Sequence, residues 1–261
     1  MKKAVQIMGI LNLTPDSFSD GGGFNTLELA KKRILKMMAE GADIIDIGGE
    51  STGPGSENVS AEEELRRVRP IIDWVSQKRH QKDIIFSIDT YKALVAEYAL
   101  SQGFSMVNDV TALRGDPKMI EVLVKYQPTV VLMYSKDPTA RTTHDKVAYE
   151  DVVGTIKDFL TEQTSELLEA GFPRKKIIID PGMGAFISSI PEYSFEVIHH
   201  LKEIKKLGYP ILVGISRKSC LGGKLEERDQ PSVDWSLKAI KNGASIIRIH
   251  NVGLMRKALQ K

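Results

Sequence analysis

Residues 41–52 read Gly41-Ala42-Asp43-Ile44-Ile45-Asp46-Ile47-Gly48-Gly49-Glu50-Ser51-Thr52. A glycine of the kind that ends helices comes first, since glycine accepts the left-handed conformation there without steric cost. An apolar run follows, too dense for a half-exposed strand and suited to a parallel strand covered on both faces. The run then opens into small and polar residues that continue through Gly53-Pro54-Gly55, the composition of a loop. This succession of helix end, buried strand and polar loop is the repeating unit of an α/β fold.

Outward from this stretch the unit recurs. Similar runs occur at 5–10, 43–47, 84–88, 105–107, 129–133, 176–179, 211–214 and 245–249. Gly103, Gly171, Gly208 and Gly243 precede later runs as Gly41 precedes the second. Between the runs lie helical periodicities, such as Ala30-Ile34-Met37-Met38 and Val152-Ile156-Phe159-Leu160. Ser60-Ala61-Glu62-Glu63 is a capping start for a helix running towards Val75. Eight strand candidates alternate with eight helix candidates in 261 residues, close to the ~250 of one closed barrel. The expected fold is therefore α/β, a single (β/α)8 TIM barrel rather than an open doubly wound sheet. No linker or composition shift divides the chain, so residues 1–261 are expected to form one domain.

Composition narrows the partners. A hydrophobic content of 42% and a formal net charge of +2 fit a soluble globular protein and give no footprint for nucleic acid or an anionic membrane. No apolar run approaches the ~20 residues of a membrane span, and the run 5–13 lacks a signal-peptide cleavage site. The single cysteine, Cys220, permits no intrachain disulfide and points to a reducing, cytoplasmic setting.

The polar residues follow the strands. Asn12 closes the first run, Asp46 the second, Asp89 the third, Asn108 and Asp109 the fourth, and Asp180 the sixth. Ser216-Arg217-Lys218-Ser219 follows the seventh, and the eighth runs through Arg248 to His250-Asn251. In a barrel these positions converge on the C-terminal mouth, where active sites lie. Asp89, Asp180 and Asn108 suit a flat heterocycle with an amidine-like edge, because a carboxylate accepts two parallel N–H bonds. Arg217, Lys218, Arg248 and His250 lie on the last two units, where barrels commonly bind phosphate. Asn12 offers a neutral oxygen for a Mg2+ shared with a diphosphate. Asp16 reads as a turn residue, and Asp46, Glu50 and Asp109 as loop hydrogen-bonding groups. His80, His144, His199 and His200 read as surface or structural. Gly21-Gly22-Gly23 has no phosphate-loop spacing and reads as a hinge.

Together these segments resemble the dihydropteroate synthase family, in order and over nearly the whole chain. The carriers are Ile7 to Gly22 with Asn12-Leu13-Thr14-Pro15-Asp16-Ser17, then Gly41 to Thr52, Ser87-Ile88-Asp89-Thr90, Asn108-Asp109-Val110, Asp180-Pro181-Gly182, Gly214 to Ser219, and Arg248-Ile249-His250. The resemblance implies that Asp89, Asn108, Asp180 and Lys218 hold a pterin ring, with Val110 and Met133 packed against it. It implies that Asn12, Arg248 and His250 hold a diphosphate with Mg2+, that Thr52, Pro54 and Ser219 surround p-aminobenzoate, and that Asp20 belongs to a lid. The implied reaction joins a dihydropterin-methyl diphosphate to p-aminobenzoate, and homodimers are common in the family.

The sequence departs from the family pattern at four places near the mouth. Gly53 stands where an Arg is usual. Gly184-Ala185-Phe186-Ile187 lacks the usual aromatic in register and the usual Lys. Met133-Tyr134-Ser135-Lys136 replaces a Met-His-Met-like run, and Asn251 replaces an Asp. A compensating charge is expected from Lys136 or Arg141, in the loop after the fifth strand. The competing readings are a pterin-binding paralogue without synthase activity, a barrel that transfers methyl groups from a methylated folate to a corrinoid protein, and a sugar-phosphate barrel enzyme.

Overall fold

A computed structural model describes residues 5–13, 23–77 and 84–260. Eight parallel strands form one sheet: β1 (Gln6–Asn12), β2 (Ile44–Gly48), β3 (Ile85–Asp89), β4 (Met106–Asp109), β5 (Thr129–Met133), β6 (Ile177–Asp180), β7 (Leu212–Val213) and β8 (Ile246–Ile249). Their order is β6-β5-β4-β3-β2-β1-β8-β7. The sheet closes on itself through a parallel bridge between Ile179 and Ile211, with the Ile179 amide donating to the Pro210 carbonyl at 3.0 Å. β7 is shorter than the 211–214 run expected. Pro210 sits at its start and has no N–H to donate, so the ladder towards β6 holds by that bridge alone. The (β/α)8 barrel read from the sequence is the fold.

The helices are α1 (Gly23–Ala39), α2 (Ala61–Gln77), α3 (Ala93–Ser101), α4 (Met119–Tyr126), α5 (Val152–Glu169), α6 (Pro191–His199), α7 (Leu201–Lys205), α8 (Asp229–Lys241) and α9 (Val252–Leu259). Between β6 and β7 the helical layer is broken at His200, so α6 and α7 replace the single helix expected there. Gly41, Gly103, Gly171, Gly208 and Gly243 all have left-handed φ, from +82° to +119°, as their place before strands predicts. Ser60 accepts from the Glu63 amide at 3.1 Å and so caps α2. No helix among the described residues is long and apolar enough to cross a membrane.

Two cores explain where the site lies. Between strands and helices a large apolar cluster includes Ile34, Met37, Val68, Ile72, Ile156 and Leu160. Inside the barrel a separate plug is formed by Met8, Ile44, Met106, Val131, Ile178, Leu212 and Ile246, with Ile85 packed against it. Every strand contributes one residue to this plug. Side chains alternate along a strand, so two residues further on each strand points inward again. Those next inward positions are Ile10, Asp46, Ser87, Asn108, Met133, Asp180, Gly214 and Arg248. Strand periodicity alone thus lays a polar layer over an apolar plug at the C-terminal mouth.

Candidate active site

A cavity of about 310 Å³ opens above the plug, within the range of small-molecule sites. Its lining includes Ile10, Asn108, Met133, Asp180, Gly214 and Arg248 from that inward layer. Asn12, Asp89, Val110, Ser216 and His250 join them from one step higher. Thr52, Arg217 and Lys218 also line the cavity, so it gathers most of the residues singled out from the sequence. Pro54 and Ser219 are not among the lining residues; Ser219 is exposed at the start of a 3-10 turn, Ser219–Leu221. Asp20, Asp16, His80, Gly21 and Gly22 lie outside the described residues. His144, His199 and His200 are exposed, as expected.

Charge pairing organises the floor. Arg248 Nε donates to Asp46 Oδ2 at 2.7 Å, and its Nη2 donates to Asp89. Asn108 Nδ2 also donates to Asp46 Oδ2, at 2.9 Å. Asp46 is fully buried and orients the amide and the guanidinium together, a larger role than the loop function read for it. Asp180 Oδ1 accepts from the Gly182 amide at 2.8 Å. Gly182 has φ +70°, and a Cβ there would collide with the Tyr134 carbonyl, which explains the Asp180-Pro181-Gly182 motif.

Burial dominates the electrostatics. It pushes the Asp180 carboxyl up to about 6, against the pull of the Gly182 amide, Lys218 and Arg248. Asp89 is pushed up to about 7 by burial, with Arg248 opposing and Asp46 reinforcing. Burial and the nearby Arg248 lower Lys218 to about 8. Its Nζ stands 4.3 Å from the centre of the Phe186 ring. Three groups in one cavity are thus shifted towards neutral pH, a pattern common at functional sites. Burial also lowers His250 to about 3, assisted by Arg217, Arg248 and Lys218. A neutral imidazole results, with Nδ1 2.9 Å from Ser216 Oγ. Such a ring is a hydrogen-bonding group here rather than a second cation.

The wall facing Lys218 is an apolar cluster of Val110, Met133 and Phe186, with Tyr91 packed against it. Nothing in the sequence pattern singles out Phe186, because the usual aromatic position holds Ala185. A 3-10 turn at Gly184–Phe186 swings the ring into the cavity one residue late. Met183, Glu50 and Ser216 also line the cavity, without a site role that the sequence pattern marks. Asn108 and Ser216 follow from strand alternation; Phe186 and Met183 depend on a turn that periodicity does not encode.

The other departures have local explanations. Tyr134 points into the strand–helix core, its hydroxyl 3.1 Å from that of Tyr149 and its ring edge-on to Phe159 at 5.2 Å. Asn251 caps α9 by accepting from the Leu254 amide at 3.1 Å, and its Nδ2 donates to Asp229 at 2.9 Å. An aspartate would cap equally well but would set a second carboxylate against Asp229. Asp229 also holds Arg217 in a two-pronged pair, at 2.7 and 3.1 Å, so that guanidinium is partly neutralised. Gly53 is open: a Cβ there meets only Ser51 Oγ, at 3.7 Å.

The compensating charge expected from Lys136 or Arg141 is not found at the cavity, which neither residue lines. Lys136 is buried against Asp137 at 2.5 Å and Thr143 Oγ1 at 2.7 Å. Arg141 is paired with Glu50. Each is held by a nearby carboxylate, which is why a cation gained in that loop does not become a cation at the mouth.

A sequence model described as pterin binding enzyme matches residues 8–250. The chain is 43% identical over 251 residues to a dihydropteroate synthase of Clostridium beijerinckii, covering 94% of this chain and 88% of that protein. A crystal structure of dihydropteroate synthase from Clostridium difficile in the presence of pteroic acid superposes with a TM-score of 0.90. It is 43% identical and covers 99% of this chain and 95% of that one. Dihydropteroate synthase of Xanthomonas albilineans, solved with 4-aminobenzoic acid, gives a TM-score of 0.90 at 38% identity, covering 99% of this chain and 92% of that one.

Proposed function

The chain belongs to the dihydropteroate synthase family, and from that premise we infer that it joins a 7,8-dihydropterin-6-methyl diphosphate to p-aminobenzoate, giving 7,8-dihydropteroate and diphosphate. The observation that carries the reading is the cavity itself. Buried carboxyls, an amide and a lysine form one end, and Arg248 and His250 stand beside them. In the reaction the C–O bond between the pterin methylene and the diphosphate breaks and a C–N bond to the arylamine forms. The amine then loses a proton to solvent. The aniline nitrogen is already nucleophilic, so the site needs no serine or cysteine nucleophile.

On this reading Asp89, Asn108 and Asp180 take the N–H edge of the pterin, and Val110, Met133 and Phe186 flank its face. Lys218 lies over the Phe186 ring, where it would hold a ring acceptor. Carboxyls at this edge favour positive charge developing at the pterin methylene, and Arg248, Lys218 and the neutral His250 accept the departing diphosphate. Thr52, with Pro54 and Ser219 at the periphery, would surround the arylamine, and Arg217 and Asp20 would complete the anion site and lid. The reading treats residues 1–261 as one pterin-binding domain. A cytoplasmic setting is supported by the single cysteine, Cys220, a buried free thiol.

Mg2+ fits only in a limited way. Among the described residues no group of three or more His, Cys, Asp or Glu side chains is placed to hold a metal. Asn12, exposed at the end of β1 and lining the cavity, offers one neutral amide oxygen. That suits an ion whose other ligands are phosphate oxygens and water. Bound there, Mg2+ would neutralise charge on the leaving diphosphate.

The test is an end-point assay with purified protein, Mg2+, the dihydropterin-methyl diphosphate and p-aminobenzoate. Dihydropteroate is followed by chromatography and diphosphate release in parallel. Equal yields are expected. Pterin binding without either product would overturn the reading and favour the non-synthesising paralogue, the alternative that Gly53 and Ala185 suggest. Light scattering of the same preparation reads whether two chains associate.

A further inference from the structure

The loop after β5 lies outside the cavity, yet its hydrogen bonds run to two loops that form the cavity wall. Arg141 Nε donates to the Ser56 carbonyl at 3.1 Å, Nη1 to Asn58 Oδ1 at 2.9 Å and Nη2 to the Glu57 carbonyl at 2.5 Å. The same Nη2 pairs with Glu50. The next residue continues the join. The Thr142 amide donates to the Thr52 carbonyl at 3.2 Å, and Thr142 Oγ1 donates to the Ala185 carbonyl at 2.7 Å. Lys136 N donates to the Phe186 carbonyl at 2.8 Å.

The β2 loop needs such support. Residues 51–60 contain no helix or strand, and within them the internal ties are from Ser56 to the Gly53 carbonyl, at 3.2 Å from its amide and 2.7 Å from its hydroxyl. Ser51, Thr52 and Gly53 nevertheless line the cavity. An irregular loop keeps one position only through tertiary bonds. Glu50 is the anchor below it, its side chain 3% exposed, accepting from the Val59 amide at 3.3 Å and paired with both Arg141 and Lys92. Lys92 also reaches Glu64, at 2.5 Å, which ties the anchor to α2.

We propose that Arg141 and Thr142 are positioning residues for the arylamine half of the site: they strap the β2 loop at residues 50–58 into the place where it receives p-aminobenzoate. The proposal rests on the synthase reading above. The cation gained in the β5 loop does not replace the charge absent at Gly53; it holds the loop on which Gly53 sits. The bonds of Arg141 run only to residues 50–58, whereas Asp89, Asn108 and Asp180 stand on strands, so the two substrates should respond differently to its loss.

The experiment uses the full-length enzyme with Arg141→Ala and Arg141→Lys, read by KM for each substrate and by amide hydrogen exchange without substrate. In Arg141→Ala one cation, Lys92, is left between Glu50 and Glu64, so the lysine variant, which keeps the charge, serves if the alanine variant does not fold. Arg141→Ala should speed exchange at the bonded amides of Ser56, Val59 and Thr142 by about ten-fold and raise KM for p-aminobenzoate by about ten-fold or more. The KM for the pterin diphosphate should stay within about two-fold. Arg141→Lys keeps the charge but cannot reproduce the planar fork, so it should fall between. Unchanged exchange at Ser56, Val59 and Thr142 would overturn the strap. Faster exchange with equal shifts in both KM values, or with neither, would overturn its arylamine specificity. If the wild type makes no dihydropteroate, the synthase reading fails by itself. Exchange then decides the strap, and calorimetry with p-aminobenzoate plus diphosphate, showing weaker binding in Arg141→Ala or not, decides its specificity.

Discussion

Asp180 shows how one buried carboxyl couples the site to pH. Burial raises it from the ordinary value to about 6, so the folded protein keeps a proton that the unfolded chain releases above about pH 4. Its contribution to stability is therefore full below that pH and is lost as pH rises through 6. Asp180→Asn cannot ionise. Unfolding by urea across pH 4–7 should show the variant gaining on the wild type as pH rises, and a flat difference would contradict the raised value. Gly53 is the other decisive single position. Its surroundings admit a Cβ, so Gly53→Arg should fold normally. A new charge-assisted contact is worth about 1.5–3 kcal/mol, so KM for the pterin diphosphate should drop by about ten-fold or more, measured by steady-state kinetics. Asp89, Asn108, Asp180 and Arg248 were readable from the sequence because strand ends are. The bonds that Asp46 accepts from Asn108 and Arg248 were not, since they join residues far apart in the chain.

At the scale of elements, caps and turns decide what the strands cannot. The Ser60 cap and the helix-ending glycines are local and were legible, because each satisfies or shapes backbone within a few residues. The 3-10 turn at Gly184–Phe186 was not legible. Which of Ala185 and Phe186 faces the cavity depends on the Asp180–Gly182 corner and on Lys218 opposite. Asn251 lies between these cases. Its cap on α9 is local, but its bond to Asp229 on α8 is tertiary. Asn251→Asp should retain the cap and lose about 1–2 kcal/mol of stability from the facing carboxylates. The loss should shrink when Asp229→Asn is added, a coupling that a double-mutant cycle by urea unfolding would read.

For the whole molecule, the eight-strand plug is the foundation of the site. Met8, Ile44, Met106, Val131, Ile178, Leu212 and Ile246, with Ile85 against them, pack together beneath the polar layer, so a hole there both destabilises the barrel and loosens the floor of the cavity. Ile44 is fully buried. Ile44→Ala should cost about 2–5 kcal/mol, read by chemical denaturation. It should also weaken pterin binding more than an equally destabilising change in the outer core, such as Leu160→Ala. Equal pterin affinity in the two variants would show that the plug serves the fold alone.

The sequence by itself determined the strands, their order of use and the end of the barrel at which chemistry gathers. Those depend on periodicity and on residues close together in the chain. Closure of the sheet by one bridge at Ile211, the turn that delivers Phe186, and the neutralisation of Arg141 by Glu50 were decided only by tertiary structure. The physical reason is common to all three. Each depends on which groups meet across loops distant in sequence, and a charge or a ring acquires its role from the partner it meets there.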